Sequence, residues 1–188
     1  MLYLLTRHPQ ALERARQEVD AALPPGTPLS HEGLTALDWV EACAHETMRL
    51  KPVAPFIGLQ LLRDTVVADI EVPKGTVVWS VMRHDSVNPK HFPEPQAFKP
   101  ERWLADGGPA QAAASAKRVS MPCGAGPRVC PGRYMALLEI KLAMAMLLRE
   151  FDIVALDTPD GAEARERLEF TMRPEGLTMK LKERAVSA

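Results

Sequence analysis

Apolar residues recur at steps of three and four from Leu12 through Ala15, Val19 and Ala22 to Leu23. That period places them on one helix face. Pro9 suits a first-turn position, and Pro24-Pro25-Gly26 stops the run. A short helix is expected to open at Ser30 or His31, near Leu34. A longer one, over about residues 37–50, carries Val40, Ala44, Thr47 and Met48 and ends at Lys51-Pro52. The pattern then changes to short β-rich runs at residues 56–62, 65–67 and 77–81. Pro73-Lys74-Gly75-Thr76 reads as the turn into the last of these. Pro89, Pro93, Pro95 and Pro100 predict a loop between Asn88 and Trp103. A helix over about residues 131–149 has Met135, Leu138, Leu142, Ala145 and Met146 on one face. Leu137, Ile140, Ala143 and Leu147 fill the others. A helix apolar nearly all round predicts burial in a large core. A strand at residues 152–155 follows. Residues 168–172 and 177–181 then alternate about Arg173-Pro174-Glu175-Gly176, which predicts a hairpin turn.

Composition narrows this picture. The chain has 188 residues, 46% hydrophobic and 25% charged, with a net charge of −1. The apolar content excludes disorder as the main state. The charge balance offers no electrostatic reason for a nucleic-acid partner or an anionic membrane. Proline stands at 17 residues, near twice the usual share of about 5%, so much of the chain follows irregular paths. Residues 107–116 are small and of low complexity, and read as a surface loop. The start lacks the basic region and cleavage site of a signal peptide, and no apolar run of membrane-spanning length exists. Three cysteines, Cys43, Cys123 and Cys130, are too few for a disulfide scaffold and favour a reducing, cytoplasmic setting.

The chemistry concentrates between Met121 and Gly132, in Met-Pro-Cys-Gly-Ala-Gly-Pro-Arg-Val-Cys-Pro-Gly. Two glycines and prolines on both sides make a turning loop. Cys130 is expected at a helix start whose first position is Pro131. There it meets unpaired backbone N–H groups and the positive end of the macrodipole, which suits an anionic sulfur. Arg128 adds a fixed cation that can pair with a carboxylate. On these residues alone, Cys130 is a nucleophile, a metal ligand or an inert cysteine. The seven-residue spacing from Cys123, with no short-spaced His or Cys pair, argues against zinc. No histidine is evidently placed as a base for nucleophilic catalysis. The nine methionines read as core filler, and His8, His31, His45 and His91 as solvated.

The segment from Gly124 to Gly132 resembles the haem-binding loop of the cytochromes P450. Two further motifs stand in that family's order. Glu46-Thr47-Met48-Arg49 resembles its Glu-x-x-Arg helix motif, and Phe98-Lys99-Pro100-Glu101-Arg102-Trp103 its Pro-Glu-Arg-Phe element, with Trp in the last place. The resemblance runs from about residue 1 to 182. It implies a mainly α fold with small β sheets, the C-terminal half of the P450 fold, over residues 1–188. It implies haem b as cofactor, with Cys130 as the proximal thiolate ligand of iron. It further implies that Arg128 pairs with a haem propionate and that Gly124 and Gly126 let the loop turn close to sulfur and porphyrin. Backbone N–H groups after Cys130 would tune the sulfur. Gly132 and Ala136 would keep the following helix clear of the porphyrin. Glu46, Arg49 and Arg102 would form a buried structural triad. Arg83 or His84 is a candidate for a second propionate contact.

The same resemblance implies a monooxygenase that places one O2-derived oxygen atom in a small organic substrate. Its electrons would come from a redox partner of ferredoxin or flavin-reductase type. No residue emerges as catalytic. Residues 59–62, Thr171 and Met172 are the positions by which the chain would touch substrate. Two departures qualify the expectation. Cys123 stands where the family usually has Phe, an aromatic that shields the sulfur. The Ala-Gly-x-Asp/Glu-Thr pattern of the oxygen-handling distal helix is not found among these residues. The chain is therefore expected to be a truncated portion inactive by itself, or a haem-binding remnant without a defined pocket.

Overall fold

The computed structural model describes residues 1–24, 26–104, 116 and 118–184. Helix α1 spans Leu2–Thr6 and α2 spans Pro9–Ala22, with Pro9 in its first turn. α2 buries Ala15 and Val19, one turn apart, and the stripe continues to buried Leu23. α3, His31–Thr35, is capped by Ser30, whose hydroxyl accepts the Gly33 N–H at 3.0 Å. α4, Asp38–Leu50, has no cap from its own N-terminal residue. Instead the Glu18 carboxylate of α2 accepts the N–H groups of Trp39 and Val40 at 2.6 and 2.9 Å. Burial pushes the Glu18 carboxyl up, and these two hydrogen bonds oppose that.

Among the described residues, four two-stranded antiparallel ribbons follow. β1 (Ile57–Gln60) pairs with β4 (Val77–Ser80), and β2 (Thr65–Val67) with β3 (Ile70–Val72). A short helix α5, Met82–Ser86, leads into the proline-rich segment, which closes in a 3-10 turn at Pro100–Trp103. β3 and α5 are too short to leave a period in the sequence. Of the small-residue stretch 107–116, only Ala116 lies within the described residues. It is buried in a cluster with Ala42, Phe92 and Trp103 rather than on a surface loop.

The long helix α6 is Arg133–Glu150. Its last carbonyls are held by the Arg184 guanidinium, which donates to Leu148 O at 2.6 Å and pairs with Asp20. α6 is not buried all round. Met144, Ala145 and Leu148 are in the core, while Met135 and Met146 are 65% and 53% exposed. β5 (Phe151–Asp157) pairs with β8 (Thr178–Glu183), and β6 (Arg165–Leu168) with β7 (Met172–Glu175). The hairpin expected about residues 173–176 is therefore corrected. Pro174 lies inside β7 opposite Glu166, and the chain turns at Glu169-Phe170-Thr171. A two-stranded ribbon is all edge, so a proline can sit in it with its missing N–H directed away from the partner. Gly176, at φ +74°, redirects the chain from one ribbon to the next.

One core joins α1 to α4 and α6 through Leu5, Val19, Leu37, Val40, Cys43 and Leu148, with Phe98 from the proline-rich segment. The architecture is mainly helical with small peripheral ribbons. The core faces of α4 and α6 position two loops: the proline-rich segment over α4, and the cysteine loop before α6.

Candidate functional site

The cysteine loop is built by backbone conformation. Gly124 and Gly126 have φ of +70° and +67°, values that side-chain-bearing residues rarely adopt. A Cβ at Gly126 would meet nothing within 4 Å, so the glycine is required for its torsion and not for space. Gly124 N–H donates to Met121 O at 2.8 Å and Val129 N–H to Gly126 O at 3.1 Å. A 3-10 turn spans Gly126–Arg128, and Cys130 N–H donates to Cys123 O at 2.9 Å, closing the neck.

Cys130 is not at the first turn of α6. Pro131 stays outside the helix, Gly132 is its N-cap, and the regular turns begin at Arg133. The sulfur thus stands two residues ahead of the cap and is exposed. Arg128, two residues earlier in the loop, is exposed and makes no ion pair among the described residues. Ala136 lies one turn into α6 and is exposed, its N–H donating to Gly132 O at 2.8 Å. A Cβ on Gly132 would stand 3.9 Å from the Cys130 sulfur, an ordinary contact.

The donor set limits what can bind. Among the described residues no three His, Cys, Asp or Glu side chains converge to hold an ion. Cys130 offers one exposed sulfur. A metal held there must bring most of its own ligands, and an acidic rim on that group would find Arg128. These residues fit a metal macrocycle and do not fit a bare ion.

The second assembly is buried. Glu46 and Arg49, one turn apart on α4, are both fully inaccessible. Arg49 Nε and Nη2 donate to the two Glu46 oxygens at 2.8 Å each, a bidentate pair. Arg102 Nε lies 3.4 Å from Glu46 Oε1, while its Nη2 donates to the carbonyls of Pro93 and Glu94. The structure thus brings Glu46, Arg49 and Arg102 together. It also adds partners that the motifs alone do not disclose. Glu46 accepts the Lys99 N–H and the Trp103 indole N–H, each at 2.9 Å. Arg49 donates to the carbonyls of Ser86, Pro95 and Ala97 and lies over the Phe92 ring at 4.9 Å. Trp103 in the last place of its motif was the one visible signal, because Phe has no donor.

Two histidines differ from the solvated reading. His45 stacks on Trp103 at 5.1 Å and His8 lies 4.9 Å from Phe98, with its Nδ1 on Leu4 O. His31 and His91 are exposed. Arg83 is engaged bidentately by Glu166, and His84 is exposed.

Residues 1–181 match the family described as Cytochrome P450. The chain belongs to the cytochrome P450 family. Among curated P450 relatives, the mitochondrial 1,25-dihydroxyvitamin D(3) 24-hydroxylase of Rattus norvegicus is 36% identical. That match covers 84% of this chain and 30% of the relative. The mitochondrial 25-hydroxyvitamin D-1 alpha hydroxylase of Homo sapiens is 35% identical, over 93% and 33% respectively. Cytochrome P450 3A19 of Capra hircus aegagrus is 31% identical, over 82% of this chain and 69% of that one. The crystal structure of the cytochrome P450DA heme domain superposes with a TM-score of 0.84 at 29% identity, covering 98% of this chain and 40% of that one. The chain therefore has a partial P450 fold, and spans about a third of the length of the first two relatives. The cytochrome P450 family is one of haem-iron monooxygenases that act on organic substrates with redox partners. No helix among the described residues is long and apolar enough to cross a membrane.

Proposed function

We propose that this chain is the cofactor-holding portion of a haem-thiolate monooxygenase, with Cys130 as the sulfur ligand of haem b. The observation that carries the reading is exposed Cys130 on a glycine-built loop, with no cluster of companion ligands among the described residues and with exposed Arg128 two residues before it. When bound, haem supplies the activation of O2 that places one oxygen atom in an organic substrate, with electrons from a ferredoxin- or flavin-type partner.

The protein's own part is positional. The neck bond from Cys130 N–H to Cys123 O holds the sulfur outward. Arg128 presents a cation for a propionate. Gly132 and Ala136 keep the start of α6 slim beside the cofactor face. The Glu46–Arg49–Arg102 assembly pins the proline-rich segment to α4 and carries no reacting atom. Two of the relatives are named for hydroxylating vitamin D compounds. For this chain the substrate is proposed only as a small organic molecule.

The test is spectroscopic. The protein is loaded with haem and reduced, and the CO adduct is recorded. A red-shifted, thiolate-type Soret band that disappears in Cys130→Ala supports the assignment. A band that survives that substitution, or folded protein that takes up no haem, overturns it.

A further inference from the structure

We propose that Cys123 and Cys130 are a resolving thiol pair that closes to a disulfide in the haem-free chain. The cross-link would withdraw the sulfur that cofactor capture requires, a consequence that rests on the reading of Cys130 just given. The two residues are joined across the neck of the loop by the Cys130 N–H to Cys123 O bond of 2.9 Å. With standard bond lengths, a single backbone N···O contact of that length keeps the two Cα atoms within about 7 Å. A disulfide spans roughly 4.4–6.8 Å between the same atoms. The neck is already ordered by the Gly124–Met121 and Val129–Gly126 hydrogen bonds, so closing so short a loop costs little further entropy.

Access is graded in the order such a pair needs. Cys130 is exposed, Cys123 half-buried and Cys43 fully buried. The exposed sulfur meets the oxidant, and its half-buried neighbour resolves the product. A small disulfide of the oxidised-glutathione class serves as oxidant. Cys130 sulfur attacks one sulfur of that disulfide, forms a mixed disulfide and expels one thiolate. Cys123 sulfur, its proton released to water, attacks Cys130 sulfur and expels the second thiolate. Two protein thiols lose two electrons in all, and the oxidant's S–S bond takes them up as two thiols.

The experiment uses the haem-free chain and oxidised glutathione, followed by intact mass and peptide mapping. The wild-type chain is expected to lose two hydrogens and to yield a Cys123–Cys130 linked peptide. Dithiothreitol should reverse the change. Cys123→Ser, which cannot resolve, is expected to stop with one glutathione retained on Cys130. A wild-type chain that also retains glutathione, or keeps both thiols open to iodoacetamide, overturns the proposal. Haem uptake is then followed by Soret absorbance on the cross-linked and the reduced protein. Uptake lost on cross-linking and regained on reduction supports the gating. A cross-linked chain that still captures haem through a thiolate-type bond leaves the disulfide standing and overturns Cys130 as the ligand.

Discussion

Glu46 shows how much one buried carboxylate can organise. Its oxygens accept from Arg49, from the Lys99 backbone and from the Trp103 indole. A charge out of water is tolerated only when such partners are complete. Trp103→Phe would restore the residue that the family usually has there. In this chain it is nevertheless expected to destabilise, because it removes the indole donor from a buried carboxylate and leaves a smaller ring against His45. The loss should be about 1–3 kcal/mol, read as a lower urea midpoint; an unchanged midpoint would show that the indole bond contributes nothing. The Glu-x-x-Arg spacing was legible in the sequence. The accepting carbonyls of residues 86, 95 and 97 and the donating N–H of Lys99 were not, since backbone atoms carry no sequence signature. Cys43 belongs to the opposite class. Burial pushes its thiol up, which makes it the unreactive member of the three cysteines.

At the scale of elements, charged side chains tie helix to helix. Lys141 of α6 is buried, and its ammonium meets Glu41 of α4 at 2.6 Å and donates to Thr35 O. The His45 ring and Lys141 hold the Glu41 carboxyl down at about 2, against burial. At 3.8 Å the His45 contact is too long for a hydrogen bond, so the ammonium is the stronger partner. A depressed carboxylate stabilises the fold above its unfolded value, and that stability is lost as pH falls through the folded value. The stabilising effect of Glu41 should therefore be full above about 4.5 and fade toward about 2. Urea midpoints of the wild type and Glu41→Gln should differ at pH 6 and converge on acidification. A gap independent of pH would contradict this. Glu18, raised by burial, titrates in the other sense, and the comparison cancels it. The helices α2, α4 and α6 were readable because each keeps a long apolar period. The β6–β7 ribbon was misread because Pro174 and Gly176 look like one turn. In the fold, one lies in a strand and the other between two ribbons.

Across the whole molecule, apolar surface remains open. A cavity of about 490 Å³ lies between α1, α4, α6 and the last ribbons, lined by Leu4, Ile140, Met144, Leu147, Met172 and Met179. Phe170, at the tip of the β6–β7 turn, is 100% exposed. A side chain with no contacts adds nothing to folding but favours association. Phe170→Ser should leave the unfolding free energy within about 0.5 kcal/mol of wild type, read as a nearly unchanged thermal midpoint, and raise the protein concentration at which light scattering begins. A clear fall in the midpoint would show that the ring is packed.

The sequence by itself determined the motifs that carry the family resemblance, which in turn implied the triad, and also the three main helices and the cysteine as a candidate ligand. Each rests on a local period or on a fixed spacing of named residues. Only the tertiary structure decided what surrounds them. It placed Cys130 ahead of the α6 cap and exposed, set Cys123 opposite it, and capped α4 with Glu18 from another helix. It also gathered distant carbonyls about Arg49 and paired β8 with β5. Those outcomes depend on backbone atoms and on segments remote in sequence, whose meeting is set by how the core faces of α2, α4 and α6 pack together.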